Sequence, residues 1–311
     1  MEPKVPSKKP QKDPKLPIDE SDITDFILAK SDFSFEAKVS NRLSLCGFKV
    51  DHAGTYIDTV TKKIRQFDIK AYRDLGDDCY AFLSVECKNL KPQGPLVIHR
   101  LKRKSGEAFH DLVYFPPANP IKDDGILIKK KVRSSAFVLR LEGQQSIYSK
   151  GDFVGKAMDV LRRGNAGILG GDGEVFEKQT QSLSSAMSFL EDISTFTPGT
   201  RAGFFAIFPF LVIPDDSLWV IDYGDNGETL GKPVKKDTAK FYIDRAGNPN
   251  FRGDNQVFRF SHMDIVTIGA LPKLLDEYFY LTQKNDNGYP LAFGESSVRT
   301  TAAEKAVLPK S

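Results

Sequence analysis

Apolar and polar positions recur along this chain with two different periods, and the switches between them mark its predicted elements. From Arg65 to Ala71, the residues Phe67, Ile69 and Ala71 alternate with Gln66, Asp68 and Lys70. From Ala81 to Lys88, the residues Leu83, Val85 and Cys87 alternate with Ser84, Glu86 and Lys88. Period two belongs to a strand with unlike faces. Just upstream, Phe35, Val39, Leu43 and Cys46 recur at helical spacing, with Ser34 as the expected N-cap and Gly47 as the expected C′ residue. A shorter helix is expected over residues 19–29, where Ile23, Phe26, Ile27 and Leu28 cluster.

The same reading extends along the chain. A short strand over Tyr56 to Val60 and a tight turn at Thr61-Lys62-Lys63 lead into the Asp68 strand, leaving His52 in a loop as an incidental histidine. Residues 91–133, broken by five prolines, are expected as a long insertion. A strand is expected over 135–141, a helix over 152–163 capped by Asp152, and a mobile glycine-rich linker over 164–173. That linker lacks the preceding strand and the Gly-Lys-Ser/Thr ending of a phosphate cradle. Residues 174–192 predict a helix with Phe176, Leu183, Met187 and Leu190 inward; it also carries Lys178, Gln179 and Gln181, none selected by a motif. Residues 204–213 are almost continuously apolar, as in a strand covered on both faces. Residues 218–223 suggest its hairpin partner, 224–254 loops, 256–260 and 264–268 edge strands, and 271–281 a closing helix.

Composition narrows the class. With 311 residues, 40% hydrophobic and 27% charged, the chain can bury a large core. Three cysteines in apolar patterns and no CxxC pair point to reduced core thiols, not zinc or disulfides. The sequence carries no apolar leader, and its longest apolar run, 203–214, is too short to span a bilayer, so a cytoplasmic, non-membrane protein is expected. Residues 1–17 read as a disordered basic tail, 18–284 as one elaborated domain, and 285–311 as a polar tail. The net charge of +3 leaves nucleic-acid affinity to local patches. The 91–133 segment supplies one, with ten Lys/Arg against four Asp/Glu; Arg100, Lys102, Arg103 and Lys104 are candidate phosphate contacts, and Lys129-Lys130-Lys131-Val132-Arg133 is the other dense run.

The candidate chemistry lies on the two alternating strands. If they pair, Asp68, Glu86 and Lys88 gather on one polar face, a costly grouping unless a hard divalent cation uses the oxygens. A merely solvated hairpin face accounts for Arg65 and Lys70, but poorly for a glutamate inside the run Phe82-Leu83-Ser84-Val85-Glu86-Cys87.

Asp68, the Glu86-Cys87-Lys88 triplet eighteen positions on, and Glu36 on a preceding capped helix resemble the signature of the PD-(D/E)XK nuclease (restriction-endonuclease-like) superfamily. Gln66-Phe67 stands where a proline often precedes the aspartate. The motif covers Glu36 to Lys88, and the order of elements carries the resemblance to about Ile213. It implies an α/β fold whose core runs helix, three strands, helix, strand around a mixed sheet holding the segments near Tyr56, Asp68, Glu86 and Phe208. It further implies phosphodiester hydrolysis with Mg²⁺, or Mn²⁺ in its place: Asp68 and Glu86 hold the ion, with the Cys87 carbonyl as a further ligand. Glu36 binds a second ion or orients water, and Lys88 serves the attacking water and the scissile phosphate. DNA is a more natural substrate than RNA under the resemblance, which also admits a homodimer and, by fold analogy alone, a defence role. The competing expectation is a nuclease-fold protein without turnover that binds nucleic acid or acts as a scaffold.

Overall fold

The computed structural model describes residues 17–293 except 30, 59–60, 77, 91–93, 116–121, 124–125, 128–135, 144–145, 166, 172, 195–202, 248–256 and 280–289. The basic tail expected over 1–17 falls outside them except for Pro17, and so do Lys129 to Arg133 and most of the polar tail. The first half of the chain holds helices α1 (Glu20–Ala29) and α2 (Asp32–Leu45) and strands β1 (Lys49–His52), β2 (Thr55–Ile57), β3 (Ile64–Gln66), β4 (Ile69–Asp74) and β5 (Cys79–Cys87). Strands β6 (Leu96–Lys102), β7 (Phe109–Phe115), β8 (Lys122–Asp123), β9 (Ile126–Leu127), β10 (Phe137–Glu142), β11 (Phe153–Gly164) and β12 (Gly167–Gly171) follow. Helix α3 (Gly173–Ser194) then precedes β13 (Gly203–Ile213), β14 (Leu218–Asp222), β15 (Val234–Lys235), β16 (Thr238–Gly247), β17 (Phe258–Thr267) and α4 (Leu271–Phe279).

The fold is α/β, with few helices on a large mixed sheet. Its main path runs β1-β4-β5-β13-β17-β16-β11-β6-β14-β15, with β7 also beside β13. Strands β4 and β5 are antiparallel neighbours (Ile69 opposite Val85), and β5 and β13 are parallel (Val85 opposite Phe210). Alternation assigns the two faces. Ile69, Ala71, Leu83, Val85, Phe208 and Phe210 pack with Phe35, Val39 and Leu43 of α2. Phe82, Phe205 and Ile207 pack with Leu183, Ala186, Met187 and Leu190 of α3. The sheet thus lies between α2 and α3, and Glu86, one step out of phase with Val85, faces α3.

Strand β13 is buried throughout, as its apolar run predicts. It is a fork: Gly203–Ala206 pair with β7, whereas Phe210–Ile213 pair with β17. Pro209, which has no N–H to donate, falls in the gap between the two pairings, where a missing ladder bond costs least.

Several expectations are corrected. The cap of α2 is Ser31, not Ser34. The Tyr56 segment pairs with β3 in a separate hairpin, and the first strand of the main sheet is β1, which ends at His52. The Arg65–Ala71 strand is broken at Phe67-Asp68. The expected insertion is integral, because β6 pairs with β11 and β14, and β7 with β10 and β13. Residues 153–164 form a strand, not a helix, and the glycine-rich stretch forms its hairpin partner β12. A bulge at Gly155–Ala157 puts Gly155 and Met158 on one face, three apart, so the strand mimics helical spacing. The Trp219 strand pairs with β6 and β15 rather than β13. The expected loops contain β16, and the two expected edge strands are one central strand, β17. Phe176 is exposed, while Ala292 and Phe293, in the expected tail, are buried. All three cysteines are buried and outside any disulfide.

Candidate carboxylate–lysine site

The site begins with a bend. After β3 the chain turns at Phe67-Asp68, held by Phe67 N–H donating to Gly54 O (3.0 Å) and Ala53 N–H to Asp68 O (2.8 Å). The Phe67 ring lies so close to Gly54 that a Cβ there would sit 2.4 Å from it, so only glycine fits. The bend turns the Asp68 carboxylate toward the end of β5, where Cys87 N–H donates to Oδ2 (2.8 Å). The Asp68 N–H reaches Glu86 Oε1 at 3.4 Å. Asp68 and Glu86 are both buried, and Glu86 is completely covered.

Helix α3 brings the third member. Its middle is small and polar, so the helix approaches β5 closely, and Ser84 and Ser182 exchange hydroxyl-to-carbonyl bonds at 2.8 and 3.0 Å. Two residues up the strand from Ser84 is Glu86; one helical turn before Ser182 is Lys178. These steps are about 7 and 6 Å, so the register that pairs the serines also pairs Lys178 with Glu86. Lys178 Nζ lies 2.6 and 2.9 Å from the Asp68 oxygens and 3.0 Å from Glu86 Oε2. Farther along α3, Lys70 Nζ donates to Ser188 Oγ at 2.5 Å and further anchors the helix.

Electrostatics follow from two carboxylates sharing one ammonium in a dry site. Burial first, and then the Asp68 charge, push Glu86 up to about 8, against the pull of Lys178. Burial alone would lower Lys178, but Glu86 and Asp68 outweigh it and hold the amine above its ordinary range. Glu36 is raised too, by burial and then by Asp68.

A pH dependence follows from Glu86. Its folded pKa lies above its unfolded one, so its contribution is full below about 4.5 and is lost as pH rises through about 8. The buried His110 and His262 titrate lower when folded, and their opposing effect is spent above the ordinary histidine pKa of about 6.5. In metal-free buffer, unfolding free energy is therefore expected to fall by about 1–2 kcal/mol between roughly pH 6.5 and 8. Glu86→Gln should flatten that decline in urea titrations, and an unchanged slope would remove Glu86 as its source.

Of the residues expected at the site, the structure brings Asp68 and Glu86 together. Glu36 stands at the flank, its carboxylate 3.4 Å from His52 Nε2, with the His52 ring stacked on Phe33. Lys88 turns to other partners, Glu174 Oε2 at 2.9 Å and Asp32 Oδ2 at 3.2 Å. Burial would lower the Lys88 pKa, but Glu174 and Asp32 outweigh it and hold it high. Asp32 also accepts from Asn89 N–H (3.0 Å), tying the start of α2 to the end of β5. Among the described residues, no three Asp, Glu, His or Cys side chains converge on one point that could hold a metal. Two carboxylates do converge, on the Lys178 ammonium. Lys178, Asp32 and Glu174 are the site residues that motif reading misses. Helical phase was the available signal for Lys178, which shares a stripe with Ser182, Ser185 and Phe189.

The expected phosphate-contact cluster does not form one surface. Arg100 makes a bidentate pair with Asp222 (2.7 and 3.0 Å). Arg103 is buried, donating to His262 Nε2 at 3.0 Å and Ser149 O at 2.5 Å. Only Lys102 and Lys104 of the four are exposed. Among the described residues, no helix is long and apolar enough to cross a membrane. Comparison with family models, curated proteins and solved structures finds no match to this chain.

Proposed function

We propose that the chain is a metal-dependent nuclease with a restriction-endonuclease-like core, hydrolysing phosphodiester bonds in DNA in preference to RNA. One observation carries the reading: Asp68, in the bend just before β4, and Glu86, on the neighbouring β5, direct three oxygens at a single cation-sized position. The order α2, β1, β4, β5, α3, β13, with the sheet order β1-β4-β5-β13, supports it, being the order expected of such a core.

The donor set suits Mg²⁺ or Mn²⁺, since carboxylate oxygens are hard ligands and these already surround a positive charge. Asp68 and Glu86 would hold the ion. When bound, it supplies a more acidic coordinated water and neutralises charge on the phosphate. Glu36, beside His52, would orient or deprotonate the attacking water. Lys88, just past the end of β5, would offer an ammonium to the phosphate oxygens once it leaves Asp32 or Glu174. Burial of the carboxylates excludes bulk water and strengthens these interactions.

A second reading is favoured by one feature. Both lysines are already neutralised by carboxylates without any added ion, as in a structural salt-bridge cluster of a nucleic-acid-binding or scaffold protein. Incubating purified protein with supercoiled plasmid and with structured RNA, with and without Mg²⁺ or Mn²⁺, separates the two. Metal-dependent nicking or cleavage is expected. Binding without cleavage under all conditions would leave the scaffold.

A further inference from the structure

On the nuclease reading, we propose that Lys178 is a built-in competitor for the metal. Its ammonium fills the Asp68–Glu86 pocket in the resting protein, and nucleic acid opens that pocket by offering Lys178 a phosphate instead.

Lys178 Nζ lies within 3.0 Å of three of the four oxygens of the pair. A divalent ion takes such oxygens at about 2.0–2.1 Å. Ammonium and ion cannot share the pocket, because they claim the same lone pairs and repel each other strongly in a buried setting. One must leave. The helix is not free to move, since Ser182 and Ser84 bond reciprocally one turn away and Lys70 holds Ser188. The side chain is free to move: it is a flexible four-carbon stem, 18% exposed. Its exit therefore needs rotamer changes only.

Departure is opposed by three charge-assisted hydrogen bonds, so the metal alone should bind weakly. A phosphate beside the site would offset that loss by accepting the ammonium. Metal and nucleic acid then favour each other by the same factor, as linkage requires. The consequence is a site that binds divalent ions only weakly until substrate is present.

Calorimetric titration of Mn²⁺ into wild type, Lys178→Met and Lys178→Gln tests this. Both variants should bind Mn²⁺ at least about tenfold more tightly than wild type, because no charge-assisted bonds must be given up. A non-hydrolysable phosphorothioate duplex should tighten Mn²⁺ binding to wild type and change the variants little. In wild type alone, reductive methylation read by mass spectrometry should label Lys178 slowly without metal and faster with Mg²⁺. This arm decides the matter should the variants fail to fold. Equal or weaker Mn²⁺ binding by folded variants, or Lys178 labelling indifferent to metal while wild type still binds Mn²⁺, overturns the competitor and leaves the nuclease. Absence of Mn²⁺ binding in wild type and variants alike overturns both.

Discussion

Asp68→Ala is expected to lower metal-dependent cleavage by at least on the order of 10²-fold, the scale set by losing one preorganised electrostatic group. Glu86→Ala should do the same, and either change should abolish the rise in melting temperature that bound metal gives. Lys88→Ala is expected to differ: cleavage falls on a similar scale, but the metal-linked rise persists. The effect on the metal-free protein departs from what crowded carboxylates alone suggest. Like-charge repulsion predicts that losing Asp68 costs little or even stabilises. Asp68, however, is the acceptor for Cys87 N–H and two of the three contacts of Lys178. Its removal leaves a buried donor and a half-paired ammonium, so a loss of about 1–3 kcal/mol is expected. Oligonucleotide cleavage and thermal melts with and without Mg²⁺ measure both effects. Cleavage by Asp68→Ala within tenfold of wild type would exclude this residue from the chemistry.

The largest loss of stability is expected away from that site, at Asp264. This carboxylate is buried in β17 and accepts from Tyr148 Oη (2.9 Å) and Tyr278 Oη (3.0 Å). Lys240 stands opposite it across the β16–β17 ladder. The Lys240 ammonium donates to Ile147 O (2.7 Å) and lies 5.3 and 5.7 Å from the Tyr148 and Tyr278 ring centres. Burial raises Asp264, and Lys240 and the two hydroxyls pull it back. Asp264→Ala would leave two buried hydroxyls without their acceptor and remove the carboxylate that most favours the charged form of the half-buried Lys240. Breaking such a set costs about 3–5 kcal/mol. Asp264→Asn keeps one acceptor oxygen and should cost less. Urea unfolding with an unchanged m-value gives the measurement, and a loss under about 1 kcal/mol for Asp264→Ala would show that the cluster contributes little.

Much of the first half of the fold was legible because local pattern and tertiary role agree there. The α2 stripe and the apolar run of β13 bury the faces their periods predict, whereas β5 buries its apolar face as expected and its polar face too from Leu83 to Cys87. The second half was misread where local signals are weaker than the pairings that decide the outcome. Val154, Met158 and Leu161 suit a helix, and it is pairing with β6 and β12 that makes their segment a strand. Ala239, Phe241 and Ile243 do alternate, but the surrounding glycines and charges hide β16. The site was legible to the same extent. Glu86 follows from strand phase, whereas the Asp68 carboxylate is aimed by a bend at Phe67-Asp68 that the alternation does not predict. The orientation of Lys88 does not follow from phase either, because it is set by Asp32 and Glu174 at the starts of two helices far apart in sequence. Lys178 depends on how α3 seats on the sheet, which the serine pair fixes and no short motif encodes.

The fork in β13 bears on how the chain acquires its shape. Strand β5 must wait for a parallel partner synthesised well over a hundred residues later, since Cys79 pairs with Phe204. The far half of that partner in turn waits for β17, which pairs only from Phe210 onward. Pairings this remote in sequence slow folding and leave strand edges open to misassociation meanwhile. The sheet therefore cannot mature from its N-terminal end as the polypeptide leaves the ribosome. It closes only once β17 has also emerged, so demand for chaperone protection should persist until then.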